Sequence, residues 1–373
     1  MAWTVTTDHL ERLAIGAGIL GTGGGGNPYM GKIVVSRLVR AGANIQVVSL
    51  DEVPDDATVV TVGGMGSPTI GVERPGSGEE SYRALRALEK HIGRKVTHIV
   101  SSEIGGGNST TPLRVATQAG IPVIDGDGMG RAFPELQMKT YIINGIPPTP
   151  GALCDYNGHT VVFDHVEDGK TFERYMRAVT IQMGGGAGYS FPLMTGEQVR
   201  RTAVPGTLSL AIRLGDAVLN ARANHTSPVE AALGVTGGFQ LFRGKITDVE
   251  RRLVGGFARG LLKMEGTGDD LGRTLDIDFQ NENLIARRDN GEVIAVVPDL
   301  ICLVDADTGA PLTTEVVRYG MRAAVLGIPA PVELKTDAAL RSVGPAAFGY
   351  PEVEYVPLPG YYANVERVAA VSL

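Results

Sequence analysis

The sequence is poor in the residues that most often build redox, metal and covalent sites. Its 373 residues include two cysteines and six histidines. Cys154 and Cys302 lie far apart with no CxxC pair, which indicates a reducing compartment and excludes a thiolate metal site of the usual spacing. The histidines form no HExxH or HxH pair, and no GxSxG motif marks a serine nucleophile. None of these local motifs therefore marks a site. His159 and His165, which flank the predicted strand TVVFD, could reach a cleft, although a solvated hairpin is the default interpretation.

The chain also lacks clustered positive charge, an export signal and a long apolar run. Its formal net charge is −7 and it has no basic stretch, which argues against nucleic acid or a membrane surface as the partner. Asp8 and Glu11 stand where a signal peptide would be basic, and no segment approaches the ~18 apolar residues of a membrane span. We expect a cytoplasmic protein that binds a small molecule, while apolar helix faces leave a homo-oligomer open.

Glycine, in contrast, is abundant and occurs in short clusters separated by strongly patterned sequence. There are 51 glycines. The clusters are GTGGGG (21–26), GGMG (63–66), GGG (105–107), GDGMG (126–130) and GGG (184–186). A cluster of this kind loses much backbone entropy on folding, so either a sharp turn or a very close neighbour is needed at each one.

The first half of the chain alternates helical and strand patterns. Helices are predicted over 8–20, 32–40, 79–93 and 110–120. Buried strands are predicted for the apolar runs IQVVSL, TVVTV, VTHIVSS and IPVID. Such alternation predicts an α/β N-terminal domain with a mainly parallel sheet and helices on both faces.

Beyond about residue 235 the pattern changes to strands joined by turn signals such as Asp289-Asn290-Gly291. This pattern predicts a β-rich C-terminal domain, either a barrel or a sandwich. The predicted organisation is an α/β domain over 1–165, a linking helical segment over 166–234 and the β-rich domain over 235–373.

Three of the glycine clusters directly follow a predicted strand, and the carboxyl ends of parallel strands share one edge of a sheet, where ligands usually bind. We therefore expect these loops to meet, with GTGGGG completing the rim. Their N–H groups can then hold an anion or an oxyanion. The predicted binding positions are Gly23, Gly24, Gly25, Gly64, Met65, Gly106 and Gly107. The alternative is that the glycines only permit left-handed turns and close packing. A dinucleotide site is a further, weaker alternative. The glycine motif of such a site follows a strand, whereas GTGGGG follows a predicted helix.

The same loops carry carboxylates. Glu103 begins one cluster, and Asp125 and Asp127 flank Gly126. In a partly dry cleft, neighbouring carboxylates can divide the roles of acid and base, or they can hold a divalent metal, for which zinc is the first candidate. We predict Glu103, Asp127 and Asp125 as catalytic residues. The alternative for an aspartate of this kind is a helix cap or a turn.

Three further polar residues are predicted to bind the substrate. Asn108 and Glu282, the latter within QNEN (280–283), are suited to orienting a small polar ring. Arg131 is suited to clamping a carboxylate with two parallel hydrogen bonds. The alternatives are a polar turn for QNEN and an ion pair with Glu135 for Arg131.

Taken together, these motifs resemble one family. From about Asp8 to about Tyr355, the chain resembles the S-methyl thiohydantoin desulfurase family. The resemblance is carried by the motifs LAIGAGILGTGGGGNPYMGK, VVTVGGMGSPT, SSEIGGGNSTTPL, VIDGDGMGRAFPELQM, FQNENL and GPAAFGY. The resemblance implies an α/β domain followed by a β-rich domain. It also implies hydrolytic removal of sulfur from a methylated thiohydantoin ring, which gives a hydantoin and a thiol.

Two other functions remain open from the sequence. A hydantoinase-type ring opener would use the same kind of site and break a different bond. A non-enzymatic protein would bind a small anion or a nucleotide through the glycine loops. In either hydrolase, a general base assists water and fixed donors or a metal stabilise the developing charge.

Overall fold

The computed structural model describes residues 2–66, 70, 73–74, 76–360 and 362. The end of the GGMGSPT motif, residues 67–69, lies outside the described residues. The helices are α1 Thr7–Leu20, α2 Pro28–Arg40, α3 Glu80–Ile92, α4 Thr111–Ala119, α5 Thr140–Ile143, α6 Gly169–Gln182, α7 Gly196–Thr202, α8 Thr207–Ala223, α9 Pro228–Thr236 and α10 Asp337–Val343.

Two sheets account for the strands. The first contains β1 Trp3–Thr4, β2 Gln46–Val48, β3 Thr58–Gly66, β4 His98–Ser101, β5 Val123–Asp127, β6 Gly151–Cys154, β7 Thr160–Phe163, β8 Gly186–Thr195 and β9 Val204–Pro205. The second contains β10 Phe239–Val254, β11 Phe257–Gly266, β12 Thr274–Gln280, β13 Glu282–Arg288, β14 Val293–Val296, β15 Leu300–Asp305 and β16 Arg322–Ile328.

The first sheet is mixed, which corrects the prediction of a mainly parallel sheet. Its order is β1-β2-β5-β4-β3-β8-β6-β7, and β2, β5, β4 and β3 are parallel neighbours. On either side the pairing is antiparallel, with β1 on β2 and β8 on β3. The alternation of strands and helices predicted the parallel centre correctly, because α3 connects β3 to β4 and α4 connects β4 to β5. The strands after residue 150 return through a hairpin or lie antiparallel to β3.

Helices cover both faces of this sheet, as the residue alternation requires. Successive strand residues point to opposite faces. Val60 packs in one apolar cluster with α1, α3, α4 and α8, whereas its neighbour Val59 packs in another with residues of α7. The expected covering of both faces is therefore present.

Helices α1 and α8 cross at very short range, and a glycine permits the contact on each side. A Cβ placed on Gly16 would lie 1.9 Å from the carbonyl oxygen of Ala211, and one on Gly215 would lie 1.9 Å from that of Arg12. This pair of helices belongs to the same apolar cluster as Leu300 and Leu326 of the second sheet. It therefore joins the two halves of the molecule.

The second sheet is antiparallel throughout and curls into a half-barrel, in the order β14-β13-β12-β11-β10-β16-β15. This agrees with the predicted β-rich C-terminal domain. The segment 166–234 is not wholly helical, because residues 186–195 form β8 within the first sheet. No helix in the described ranges is long and apolar enough to cross a membrane.

Candidate active site

A cleft of about 320 Å³ opens where the ends of β3 and β4 face the turn between β12 and β13. Several predicted positions line it: Gly25, Gly64, Met65, Glu103, Gly107, Asn108 and Glu282. Each of the five glycine clusters contributes at least one lining residue, so the structure brings them and the QNEN turn to one place. Glu103 comes from the first half of the chain and Glu282 from the second.

The two glycine loops at residues 21–26 and 105–107 touch through their backbones. The N–H of Gly107 donates to the carbonyl oxygen of Gly25 at 2.8 Å. Gly25 has a φ of +71°, and a Cβ there would lie 2.4 Å from the carbonyl oxygen of Gly105. A Cβ on Gly106 would lie 2.3 Å from Gly25. Here the glycines are needed so that one loop can lie directly on the other.

Most of the predicted anion-binding N–H groups already have acceptors inside the protein. Gly24, Gly25, Gly64 and Gly107 each donate an N–H bond to another residue of the chain. The acceptor for Gly25 is the Glu282 carboxylate, at 3.2 Å. These groups therefore do not form a row of free donors. Close packing accounts for the glycines at 24 and 25, whereas a Cβ on Gly64 or Gly107 would have its nearest neighbour at 3.8 or 3.6 Å.

Gly23 and Gly24 lie under the cleft rather than open to it. Gly23 has a φ of +93° and packs against Asn283 and Thr314. A Cβ on Gly24 would lie 2.0 Å from the Oε1 atom of Glu282. Gly24 is thus the position that makes room for the Glu282 carboxylate.

Glu103 is a buried carboxylate on the cleft wall, held by two donors. Its Oε1 atom accepts a hydrogen bond from the Asn108 side chain at 2.7 Å, and its Oε2 atom accepts from the Phe133 N–H at 3.2 Å. Asn108 also bonds both main-chain groups of Gly64. Burial raises the pKa of Glu103 to about 7, against the opposing effect of these hydrogen bonds and of the Lys139 charge. Glu103 is therefore poised to take up and release a proton near neutral pH.

Glu282 faces the same cleft from the second half of the chain and is 2% exposed. Its Oε1 atom accepts from Gly25, and its Oε2 atom has no partner among the described residues. Burial raises the pKa of Glu282 well above its usual range, and the charge of Glu103 raises it further, while Arg131 opposes the shift. Burial and the neighbouring Glu103 charge thus both favour the protonated form of Glu282.

Asp127 organises the loops beside the cleft instead of lining it. Its carboxylate accepts N–H bonds from Ile104, Met129 and Gly130 at 2.8–3.0 Å. Burial raises the pKa of Asp127 to about 7, and these bonds oppose the shift. The structure thus favours the turn interpretation that the sequence left open for this residue.

Asp125 belongs to β5, and its side chain contacts the first turn of α8. It accepts from the N–H groups of Leu208 and Ser209 at 2.9 and 3.2 Å and from the Ser209 hydroxyl. These are the unsatisfied donors of a helix N-terminus, so Asp125 caps the helix.

Arg131 is fully buried between the two halves of the chain, and its guanidinium is occupied. It donates to the carbonyl oxygens of Ala132, Pro298 and Asp299 at 2.8–3.0 Å and to the Thr22 hydroxyl at 2.9 Å. This placement speaks against the predicted clamp for a substrate carboxylate, since the donors that would hold it already hold the protein together.

Arg114, which the sequence did not single out, does line the cleft. Within the described chain its guanidinium makes no hydrogen bond, and its buried Nε atom has no acceptor. The nearby Glu80 carboxylate accepts instead from Ser77 and Gly78. In the sequence Arg114 is one residue of the predicted helix TTPLRVATQ, and no local motif indicates that it lines a site.

The expected divalent metal, with zinc as the first candidate, stays a prediction. A catalytic zinc site uses three protein ligands. No group of three or more His, Cys, Asp or Glu side chains in the described ranges is arranged to hold a metal. Four glutamates line the cleft: Glu80, Glu103, Glu135 and Glu282.

Comparison with known proteins gives two family matches and a similar structure. The model described as "S-Me-THD-like, N-terminal domain" matches residues 8–165, and "S-Me-THD-like, C-terminal domain" matches residues 167–358. A crystal structure of a protein from Chromobacterium violaceum is 27% identical, with a TM-score of 0.77, over 95% of this chain and 99% of that one. No curated protein matches the sequence.

Proposed function

Because the chain belongs to the S-Me-THD-like family, we propose that it is a hydrolase that removes the sulfur of an S-methyl thiohydantoin and leaves a hydantoin. The observation that carries the proposal is the pair of buried glutamates, Glu103 and Glu282, which face one cleft from the two halves of the chain. Two carboxyl groups whose environments hold them in different protonation states are suited to act as base and acid in one reaction.

Glu103 is the general base of this proposal. It takes a proton from water as the oxygen attacks the ring carbon that lies between the two nitrogens and carries the sulfur. Its pKa of about 7 places a useful fraction of the carboxylate in the ionised form at neutral pH. Asn108 and the Phe133 N–H fix the carboxylate in its orientation.

Glu282 is the general acid. Its proton goes to the ring nitrogen that receives the electron pair displaced from the carbon–nitrogen double bond. When the intermediate collapses, the carbon–sulfur bond breaks and the thiolate takes the proton held by Glu103. The new hydroxyl returns its proton to Glu282 and becomes the hydantoin carbonyl, so both glutamates regain their starting states.

Arg114 gives this cleft a cation for an anionic ring substituent. Thr111 and Arg114 lie one helical turn apart on α4, and both line the cleft, as does Asn108 beside Glu103. Asn108 lies in the 3₁₀ turn Gly106–Ser109 that comes just before α4, and Arg114 follows it by six residues on the same wall of the cleft. We therefore propose that the substrate carries a carboxylate on a short arm, bound by the guanidinium.

The test is product analysis with S-methyl thiohydantoins, with and without a carboxyalkyl arm, followed by detection of methanethiol and hydantoin. The wild type should release thiol. Glu103→Gln and Glu282→Gln should each lower kcat by about 10²–10⁴-fold, the usual worth of an acid or base. Glu135→Gln, which changes a half-buried carboxylate on the same cleft, is the matched control and should remain active.

Other products would contradict the proposal in distinct ways. A carbamoyl amino acid formed from a hydantoin would identify a ring opener. Stable binding without any product would identify a non-enzymatic binding protein. The divalent metal is a separate prediction, and elemental analysis of protein purified without added metal tests it.

A further inference from the structure

Ser102, next to Glu103, carries a hydroxyl at the wall of the cleft. The residue lines the cleft and is 1% exposed. Its Oγ atom accepts a hydrogen bond from the Tyr189 hydroxyl at 2.6 Å. A serine hydroxyl that accepts on its oxygen still has its own hydrogen to donate. No acceptor among the described residues receives that hydrogen. We therefore infer that the Ser102 O–H can donate to a molecule bound in the cleft.

Tyr189 is held rigidly behind Ser102. A Cβ on Gly63 would lie 2.4 Å from the tyrosine oxygen, so the glycine makes room for the phenol. The ring packs on Phe191 with a centroid distance of 5.2 Å, and the Lys139 ammonium lies 4.6 Å from the ring centroid. Burial raises the pKa of Tyr189, so the phenol keeps its proton and remains a donor.

The proposed reaction needs such a donor. Negative charge develops on the sulfur as the carbon–sulfur bond breaks, and fixed donors aimed at developing charge have large catalytic effects. The N–H groups of the glycine loops and the Arg131 guanidinium are bonded within the protein. A chain of hydrogen bonds polarises its last member, so the bond from Tyr189 makes the Ser102 hydroxyl a better donor.

We propose that Ser102 is a further catalytic residue whose hydroxyl donates a hydrogen bond to the departing sulfur, and that Tyr189 is the positioning residue that aims it. This role rests on the proposed desulfuration. Ser102 neither gains nor loses a proton overall, because the thiolate takes its proton from Glu103. The serine lowers the barrier only while the charge is on sulfur.

The experiment compares steady-state kinetics of Ser102→Ala, Tyr189→Phe and the double variant on an S-methyl thiohydantoin. Ser102→Ala should lower kcat about 10²-fold, with KM nearly unchanged. Tyr189→Phe should lower kcat about 10-fold, and the double variant should match Ser102→Ala, because the tyrosine acts through the serine. Ser190→Ala is the matched control, since this neighbour of Tyr189 is also buried and its hydroxyl has no partner among the described residues.

A second substrate separates a role at sulfur from a structural role. With an S-(2,2,2-trifluoroethyl) ring, whose thiol leaves more readily, the defect of Ser102→Ala should shrink severalfold. An equal defect on both substrates, or additive effects of the two single changes, would overturn the role. An active wild type with an equally active Ser102→Ala refutes this inference alone. A wild type that releases no thiol refutes the proposed function and this role with it.

Discussion

The carboxyl group of Glu103 has a pKa of about 7 because the protein buries it, and its activity as a base should follow that value. A base works only when ionised and an acid only when protonated, so kcat/KM should rise with pH through about 7 as Glu103 ionises and should fall again once Glu282 loses its proton. Thiol release measured from pH 5.5 to 9 gives the profile. In Glu103→Gln the residual activity should lose this inflection. A wild-type profile that is flat across the range would remove Glu103 from the role of base.

Arg114 should determine which ring substituent is accepted. Arg114→Met keeps much of the side chain and removes the charge and its donors. A hydrogen bond to a charged group is worth about 1.5–3 kcal/mol, so KM for a carboxyalkyl thiohydantoin should rise roughly 10- to 100-fold. An uncharged ring serves as the internal control and should bind to both proteins equally. The proposal fails if the two substrates lose affinity together.

At the level of elements, the crossing of α1 and α8 depends on glycine. Gly16→Ala would place a methyl carbon 1.9 Å from a carbonyl oxygen and force the helices apart. Overpacking of this kind lowers the free energy of unfolding by roughly 1–3 kcal/mol. Gly234→Ala in α9, where nothing lies within 4 Å of an added Cβ, should instead be neutral or gain up to about 1 kcal/mol. Urea denaturation distinguishes the two, and equal stability of both variants would contradict the packing argument.

Local signals in the sequence predicted most elements of the first half. Pro112 lies in the first turn of α4, and Gly120 ends it in the left-handed conformation. Helix α1 begins one residue before its predicted start, because Thr6 caps it and forms a capping box with His9. Strand β8 was missed because nearly all its residues are buried, so it shows no alternation of polar and apolar side chains.

At the level of the whole molecule, Arg131 joins the two halves. Lysine at this position would keep the charge but lose the planar fork that reaches Pro298, Asp299 and Thr22. Carbonyl groups left buried without donors should lower the free energy of unfolding by roughly 2–4 kcal/mol. Arg131→Lys can be compared by urea denaturation with Arg252→Lys on an exposed part of β10, which should change little. An Arg131→Lys protein as stable as the wild type would show that the joint does not depend on the fork.

The position of the cleft followed from the sequence, and the roles of several residues did not. Glycine clusters after strands predicted where Glu103 and Asn108 would lie. Asp125, Asp127 and Arg131 belong to the same motifs, yet their side chains turn toward backbone groups. Ser102 and Tyr189 are far apart in the chain and meet only because β8 lies beside β3. Side-chain direction depends on such long-range pairing, which a local motif does not encode.

Because Glu103 and Glu282 lie in different halves of the chain, their positions limit how the gene can be divided. A fragment ending before residue 167 would carry Glu103 without its counterpart, and a fragment starting there would carry only Glu282. If both glutamates act as proposed, splitting the gene between the halves should yield two polypeptides that are inactive alone and regain activity only when they reassemble.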